Sequence, residues 1–217
     1  MMTTQLLPAI RQYLELAEKD FDLITPARKD ALQKIAEGVI SLLNSKGQAA
    51  LIYICTHNSR RSHMGQVWAM AAAAYYNING ISSYSGGTEI TAFNPNAIKA
   101  LAEAGFEIST SAAATNPHYH ITYATHAPAL VAFSKKYMDA PNPTGDFIAV
   151  MTCSHADDNC PFVPGTYLKV ATPYEDPKAG DGKPEQDQVY RERCREIATE
   201  VLLTFYLVHQ LQNSSRI

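Results

Sequence analysis

A cysteine, five residues and then Arg-Ser, set between an apolar run and a helical stripe, constrains this chain more than any other feature. The run is Cys55-Thr56-His57-Asn58-Ser59-Arg60-Arg61-Ser62, and the residues before it, Ala49 to Ile54, have the length and apolar character of a buried strand. After it, Met64, Val67, Trp68 and Ala71 recur at helical spacing. The loop therefore opens a helix, and a turn of this kind can wrap its backbone N–H groups around a tetrahedral oxyanion. The same alternation continues: strand 49–55, helix 62–77, strand 81–85, helix 94–104, strand 147–153, a strand near 167–170 and a last helix within 187–211. That order predicts an α/β fold, a small doubly wound parallel sheet with anion sites at the C-terminal ends of its strands. Cys55 and Cys153 both fall at such ends.

The placement sets the chemistry expected of Cys55. A thiol near a helix N-terminus and beside a guanidinium is stabilised as thiolate, the nucleophilic form, and its pKa can fall below the free value of about 8.5. Arg61 offers a planar fork to two oxygens of a phosphate-like substrate. Ser62 is placed to donate a hydrogen bond to the sulfur and Asn58 to brace the loop, while Thr56, His57, Ser59 and Arg60 complete the candidate oxyanion cradle. The plainer alternative is a packed structural cysteine beside surface arginines, with Arg60 solvated and His57 pointing to water.

Cys153 follows the apolar run Phe147 to Met151, and Cys160 follows the polar segment Ser154 to Asn159. No second close Cys or His pair accompanies them, so this is not a zinc spacing and no metal is expected. Two cysteines flanking a short polar segment can exchange disulfide partners, or they can simply be packed thiols. Asp176, followed by Pro177, is a carboxyl on a stiffened loop and suits a general acid. Cys194 shares a helical face with Tyr190, Ile197, Val201, Phe205 and Val208 and is expected to be a core thiol without a catalytic task.

The 18 basic and 21 acidic residues give a formal net charge of −3, which argues against a general nucleic-acid or membrane surface, so any anion preference is local. No apolar stretch approaches the roughly 20 residues of a membrane span, no signal pattern opens the chain, and four cysteines form no dense framework. A reducing, cytoplasmic location is the expectation. The chain divides into an N-terminal helical extension, 1–48, and a catalytic domain, 49–217. Leu6, Ile10, Tyr13, Leu14 and Ala17 form one stripe in the extension, and Thr25-Pro26 starts a second helix. These helices need a surface to cover, either the catalytic domain or a second subunit in a homodimer. Tyr119 to Ala124 and Ala129 to Phe133 predict an inserted β-hairpin, and Lys178 to Pro184 a mobile loop.

Together, Cys-Thr-x-Asn-Ser-x-Arg-Ser at 55–62, the pair Cys153 and Cys160, Cys-Pro-x-x-Pro from Cys160 to Pro164, and Asp176-Pro177 resemble the thioredoxin-coupled arsenate reductases. That family shares the low-molecular-weight protein tyrosine phosphatase fold. Tyr84 to Glu89 and Phe93 to Ile98 match as well, and the likeness is weakest between about 112 and 146. The resemblance implies that Cys55 attacks arsenate while Arg61 and the loop amides hold its oxygens and Asp176 protonates the departing hydroxyl. It further implies that Cys153 attacks Cys55, releasing arsenite, and that Cys160 attacks Cys153 and presents the disulfide to thioredoxin. No metal or organic cofactor is then needed.

A phosphatase acting on phosphate monoesters would use Cys55, Arg61 and Asp176 alone, and a sensor would bind an oxyanion without turnover. Three departures stand out: Arg60 occupies a position where the reductases often carry a further cysteine, His57 one usually taken by glycine, and Gln66 one where some carry a potassium-binding carboxylate. The last makes potassium dependence an unsupported expectation.

Overall fold

The computed structural model describes residues 5–110, 114–159 and 162–214. A two-residue strand, β1 (Gln5–Leu6), leads into α1 (Pro8–Glu18), and α2 (Pro26–Lys46) follows. The second helix starts where Thr25-Pro26 predicts: Thr25 Oγ1 accepts from the Arg28 N–H at 3.4 Å, and Pro26 fills a first-turn position that needs no donor. It ends at Gly47, whose φ of 70° is a left-handed conformation that glycine adopts at little cost. Then come β2 (Ala49–Cys55), α3 (Arg61–Tyr75), β3 (Ile81–Gly87), α4 (Pro95–Glu103), β4 (Glu107–Thr110), β5 (Tyr119–Thr122), β6 (Ala124–Thr125) and β7 (Leu130–Ala132). The chain closes with β8 (Phe147–Met151), α5 (Ser154–Asn159), β9 (Thr166–Ala171) and the long α6 (Gln186–Ser214).

The main sheet has the order β3-β2-β8-β9 and is parallel throughout, so the α/β expectation holds. Its central strand is β2, buried on both faces, which is why Ala49 to Ile54 reads as an unbroken apolar run. Side chains alternate across it. Leu51 and Tyr53 join Ile148 and Val150 in a large core with α1, α2, α3 and α6, whereas Ile52, Ile54 and Cys55 join Phe147, Ala149, Met151, Cys153, Ala156 and Val163 in a second, smaller cluster. Both sulfurs of interest therefore lie on the thinly covered side of the sheet. The larger core runs without interruption from Ile10 and Leu14 of α1 through Ile35 and Val39 of α2 to Ile197 and Phe205 of α6.

The divergent middle segment contains the expected hairpin, with β5 antiparallel to β7. A third strand joins from just before that segment: β4 pairs with the other edge of β5. Beyond it, β6 pairs with β1, tying the start of the chain to this insert. The segment 178–184 is not the loose loop predicted. Pro177–Gly180 forms a 3-10 turn, and Gly182 N–H donates to Gln186 Oε1 at 2.8 Å.

Gly65 marks the closest packing of α3 on β2. A Cβ there would lie 2.3 Å from the Tyr53 ring, which is itself buried and has little room to yield. Alanine normally stabilises a helix by about 1 kcal/mol over glycine, but overpacking a full core costs about 1–3 kcal/mol. We expect the clash to win: Gly65→Ala should lower the unfolding free energy in urea by about 1–2 kcal/mol net, and a rise would show that Tyr53 can move.

Candidate active site

The turn between β2 and α3 is held open by hydrogen bonds on its outer side. Thr88 N–H donates to the Cys55 carbonyl at 3.3 Å, Glu89 N–H to that of Thr56 at 2.9 Å and Asn94 N–H to that of Ser59 at 2.9 Å. The hydroxyls of Thr91 and Ser134 donate to the carbonyl of His57 at 2.8 and 3.1 Å. In a trans peptide the following N–H points opposite to the carbonyl. The N–H groups of Thr56, His57, Asn58 and Arg60 therefore turn to the inside of the loop, the arrangement a tetrahedral anion needs. Gly87 allows the close approach: a Cβ there would sit 2.7 Å from Thr56 O and 2.8 Å from Asn58 N.

Inside the turn, Ser62 Oγ lies 3.1 Å from Cys55 Sγ. Asn58 is fully buried, adopts φ of 43°, donates from Nδ2 to Ser62 Oγ at 2.9 Å and accepts at Oδ1 from the Lys135 N–H at 2.9 Å. Ser62 thus stands beside the sulfur and Asn58 spans the loop, the positions the sequence suggests. Arg61 is buried at the first turn of α3, with Nη1 donating to the Tyr174 carbonyl at 2.7 Å and Nη2 to Asp176 Oδ2 at 2.6 Å. Its Nε is buried without a partner among the described residues. The loop that carries Asp176 is braced from the N-terminal extension. Arg28 of α2 donates to Pro173 O at 2.5 Å, stands over the Tyr174 ring at 5.2 Å and pairs with Glu200 at 3.2 Å.

Cys153 lies two residues past the end of β8, buried, with its sulfur accepting from the Ala156 N–H at 3.3 Å. Thr56 Oγ1 is 3.5 Å from that sulfur, so the residue after the nucleophile touches the second cysteine directly. Both are free thiols here. Cys160 lies outside the described residues. Cys194 is buried in the large core, its thiol pushed up to about 12 by burial, with Trp68 Nε1–H donating to the sulfur at 3.3 Å. Its surroundings are those of a core thiol, as its helical face implies.

Sequence reasoning misplaced Arg60. Its side chain is only 12% exposed and not solvated. Nε donates to Tyr190 OH at 2.6 Å and Nη2 to Asp181 Oδ2 at 3.0 Å, while Tyr190 OH donates to Asp181 Oδ1 at 2.7 Å. That side chain is committed to α6 and the loop before it, so only its backbone N–H is left to face the inside of the turn. His57 is half exposed and faces Glu89 at 3.6 Å rather than the cradle, and Ser59 Oγ is spent on the Ala92 carbonyl at 2.7 Å.

No protein-family model matches the chain. Among curated proteins, an arsenate reductase 2 of Staphylococcus haemolyticus is 31% identical over 134 residues, 62% of this chain and 80% of that protein. The chain belongs to the arsenate reductase family. Another of its arsenate reductases, from Halalkalibacterium halodurans, is 27% identical over 155 residues, 71% of this chain and 93% of that protein. Among solved structures, the YwlE arginine phosphatase of Geobacillus stearothermophilus overlaps 77% of this chain and 96% of its own at 16% identity, with a TM-score of 0.48. A thioredoxin-dependent arsenate reductase of Corynebacterium glutamicum overlaps 94% of this chain and 85% of its own at 16% identity, with a TM-score of 0.37.

Behind the cradle, this member of the arsenate reductase family buries a polar cluster that the sequence did not announce. Gln66 Nε2 donates to the carbonyls of Ser83 and Val131 at 3.4 and 3.3 Å, so the residue at the potassium-associated position is engaged with backbone. Lys135 is buried with its ammonium over the Phe133 ring at 4.6 Å, and burial lowers its pKa to about 8. His63 stacks on Phe93 at 4.0 Å with Nδ1 3.0 Å from Ser85 Oγ. Burial, aided by the charge of Lys135, lowers its pKa to about 3.

His63 makes stability pH-dependent. The folded chain refuses a proton that the unfolded chain accepts near pH 6.5, so the contribution is complete above about pH 6.5 and is lost as the pH falls toward about 3. Moving from pH 7.5 to 5.5 should cost about 1 kcal/mol through this group. Urea unfolding at the two values should show that loss in the native sequence and much less of it in His63→Gln.

Proposed function

We propose that this protein reduces arsenate to arsenite, with Cys55 as nucleophile and Cys153 and Cys160 as a disulfide relay recycled by thioredoxin. Family membership supports the reaction, and the contact of Thr56 with Cys153 at 3.5 Å carries the choice of a reductase over a phosphatase. A cysteinyl-phosphate resolved by water would give that second thiol nothing to do.

In this reading the Cys55 thiolate attacks arsenic while the loop amides and Arg61 hold the oxygens, and an arsenic–oxygen bond breaks with Asp176 giving its proton to the leaving oxygen. The Cys153 thiolate then attacks Cys55 Sγ. A sulfur–sulfur bond forms, the sulfur–arsenic bond breaks, and its electron pair remains on arsenic, which falls from the +5 to the +3 state and leaves as arsenite. Two thiols have become one disulfide, so the electrons balance. Attack of Cys160 on Cys153 frees Cys55, and the dithiol of thioredoxin reduces the Cys153–Cys160 bond. All electrons pass through sulfur, so the scheme calls for no metal or organic cofactor.

The reading is tested by supplying arsenate or an aryl phosphate to the purified chain with thioredoxin. Cys55→Ser should lose activity on both substrates by more than about a thousandfold. Cys153→Ser should keep most aryl phosphate hydrolysis while losing arsenite turnover; sustained arsenite production by that variant overturns the relay. Asp176→Asn should slow the chemical step by about 100-fold or more without weakening oxyanion binding measured by inhibition.

A further inference from the structure

His155 stands two residues beyond Cys153, and the relay as set out gives it no task. Its Nδ1 lies 3.2 Å from Thr56 Oγ1, the same hydroxyl that is 3.5 Å from Cys153 Sγ. A hydroxyl carries one proton and two lone pairs. It can therefore donate to a neutral imidazole while accepting from a thiol, joining the three side chains in one line of proton transfer. The need for such a line is physical: attack on a sulfur requires a thiolate, and the Cys153 sulfur sits in an apolar cluster, 3% exposed, where water has little access to take its proton. His155 is on the exposed side of α5 and can exchange protons with solvent.

We propose that His155 activates the resolving cysteine by accepting the Cys153 proton through Thr56. The Cys153 S–H bond breaks as its proton passes to Thr56 Oγ1, and the proton of Thr56 passes to His155 Nδ1. A thiolate and an imidazolium result, and no electrons change hands. The Ala156 N–H, already 3.3 Å from the sulfur, remains as donor to the thiolate. On the Cys153 face of the neighbouring β2 the titratable group is Cys55, since Tyr53 enters the opposite core, and Tyr84 and Tyr137 pack against the same small cluster; Lys169 of β9 is paired with Asp157 of α5 at 2.7 Å, and Asp158 is the remaining carboxylate of α5. His57, beside Thr56 in the turn, faces Glu89. The proton path serves the proposed relay, but its test does not depend on arsenate.

The experiment follows Cys153 thiolate by its absorbance near 240 nm between pH 5 and 8.5, in the full chain carrying Cys55→Ser and Cys160→Ser, with the further Cys153→Ser protein as blank. Adding His155→Gln should lower the thiolate fraction at pH 7 about tenfold. Thr56→Val, with His155 intact, should do the same, and Thr56→Ser should restore the original curve. Curves that coincide within twofold for His155→Gln overturn the proposal, as does an unchanged curve for Thr56→Val. Arsenite release is measured separately in a single turnover of the unmodified chain. If it fails while the thiolate curves shift, the reductase reading falls and the proton path stands; if arsenite forms and the curves do not shift, the proton path alone falls.

Discussion

The site depends on one buried amide. Asn58 takes a left-handed backbone conformation, φ 43°, that non-glycine residues adopt at a cost, and its side chain offsets that cost by spanning two elements. One end donates to Ser62 at the start of α3 and the other accepts from the backbone of Lys135. Remove that bridge and two things loosen together: the direction of the loop amides and the position of the hydroxyl beside Cys55. The same residue thus links the amides of the turn to the surroundings of the Cys55 sulfur, which ties the eight residues together as one unit.

The sheet supplies the second constraint. Because β2 and β8 are parallel neighbours with Ile54 opposite Met151, their C-terminal ends leave the sheet side by side. Thr152 fixes the exit by donating from both N–H and Oγ1 to the Ile54 carbonyl, at 2.7 and 2.9 Å. Cys55 and Cys153 therefore enter one small apolar cluster without any long-range coincidence. The opposite face carries the thick helical layer, so stability is concentrated where α2, α3 and α6 pack, and the thiols stand on the side with less cover.

What the sequence made legible was whatever depends on periodicity and local chemistry. The strand–turn–helix around Cys55 could be read because an apolar run, a polar turn and a helical stripe follow one another directly, and the Thr25-Pro26 start of α2 because the capping chemistry lies in adjacent residues. Arg60 could not be read. Its partners, Tyr190 and Asp181, lie more than a hundred residues away, and Tyr190 carries the same helical periodicity whether or not its hydroxyl points at the turn. Lys135 and His63 were hidden for a related reason: a buried cation over a ring, or an imidazole stacked on Phe93, leaves no trace in spacing. The strand β4 was missed because Glu107-Ile108-Ser109-Thr110 is largely exposed and too short to show alternation.

The resting contact of Arg61 has a consequence for how the turn is filled. Nη1 and Nη2 are already taken, by the Tyr174 carbonyl and by Asp176, and the buried Nε has no partner among the described residues. A planar guanidinium can exchange one acceptor for another without losing its place, so under the proposed function an oxyanion entering the turn would compete with Asp176 for the same nitrogen. The bond to a backbone carbonyl is the one that can persist, because Tyr174 is anchored from behind: its own N–H donates to the Thr152 carbonyl at 3.1 Å, and Arg28 holds the preceding carbonyl. In the proposed function, anion capture and release of the Asp176 carboxyl would then be two sides of one exchange, on a loop that α2 steadies from outside the turn.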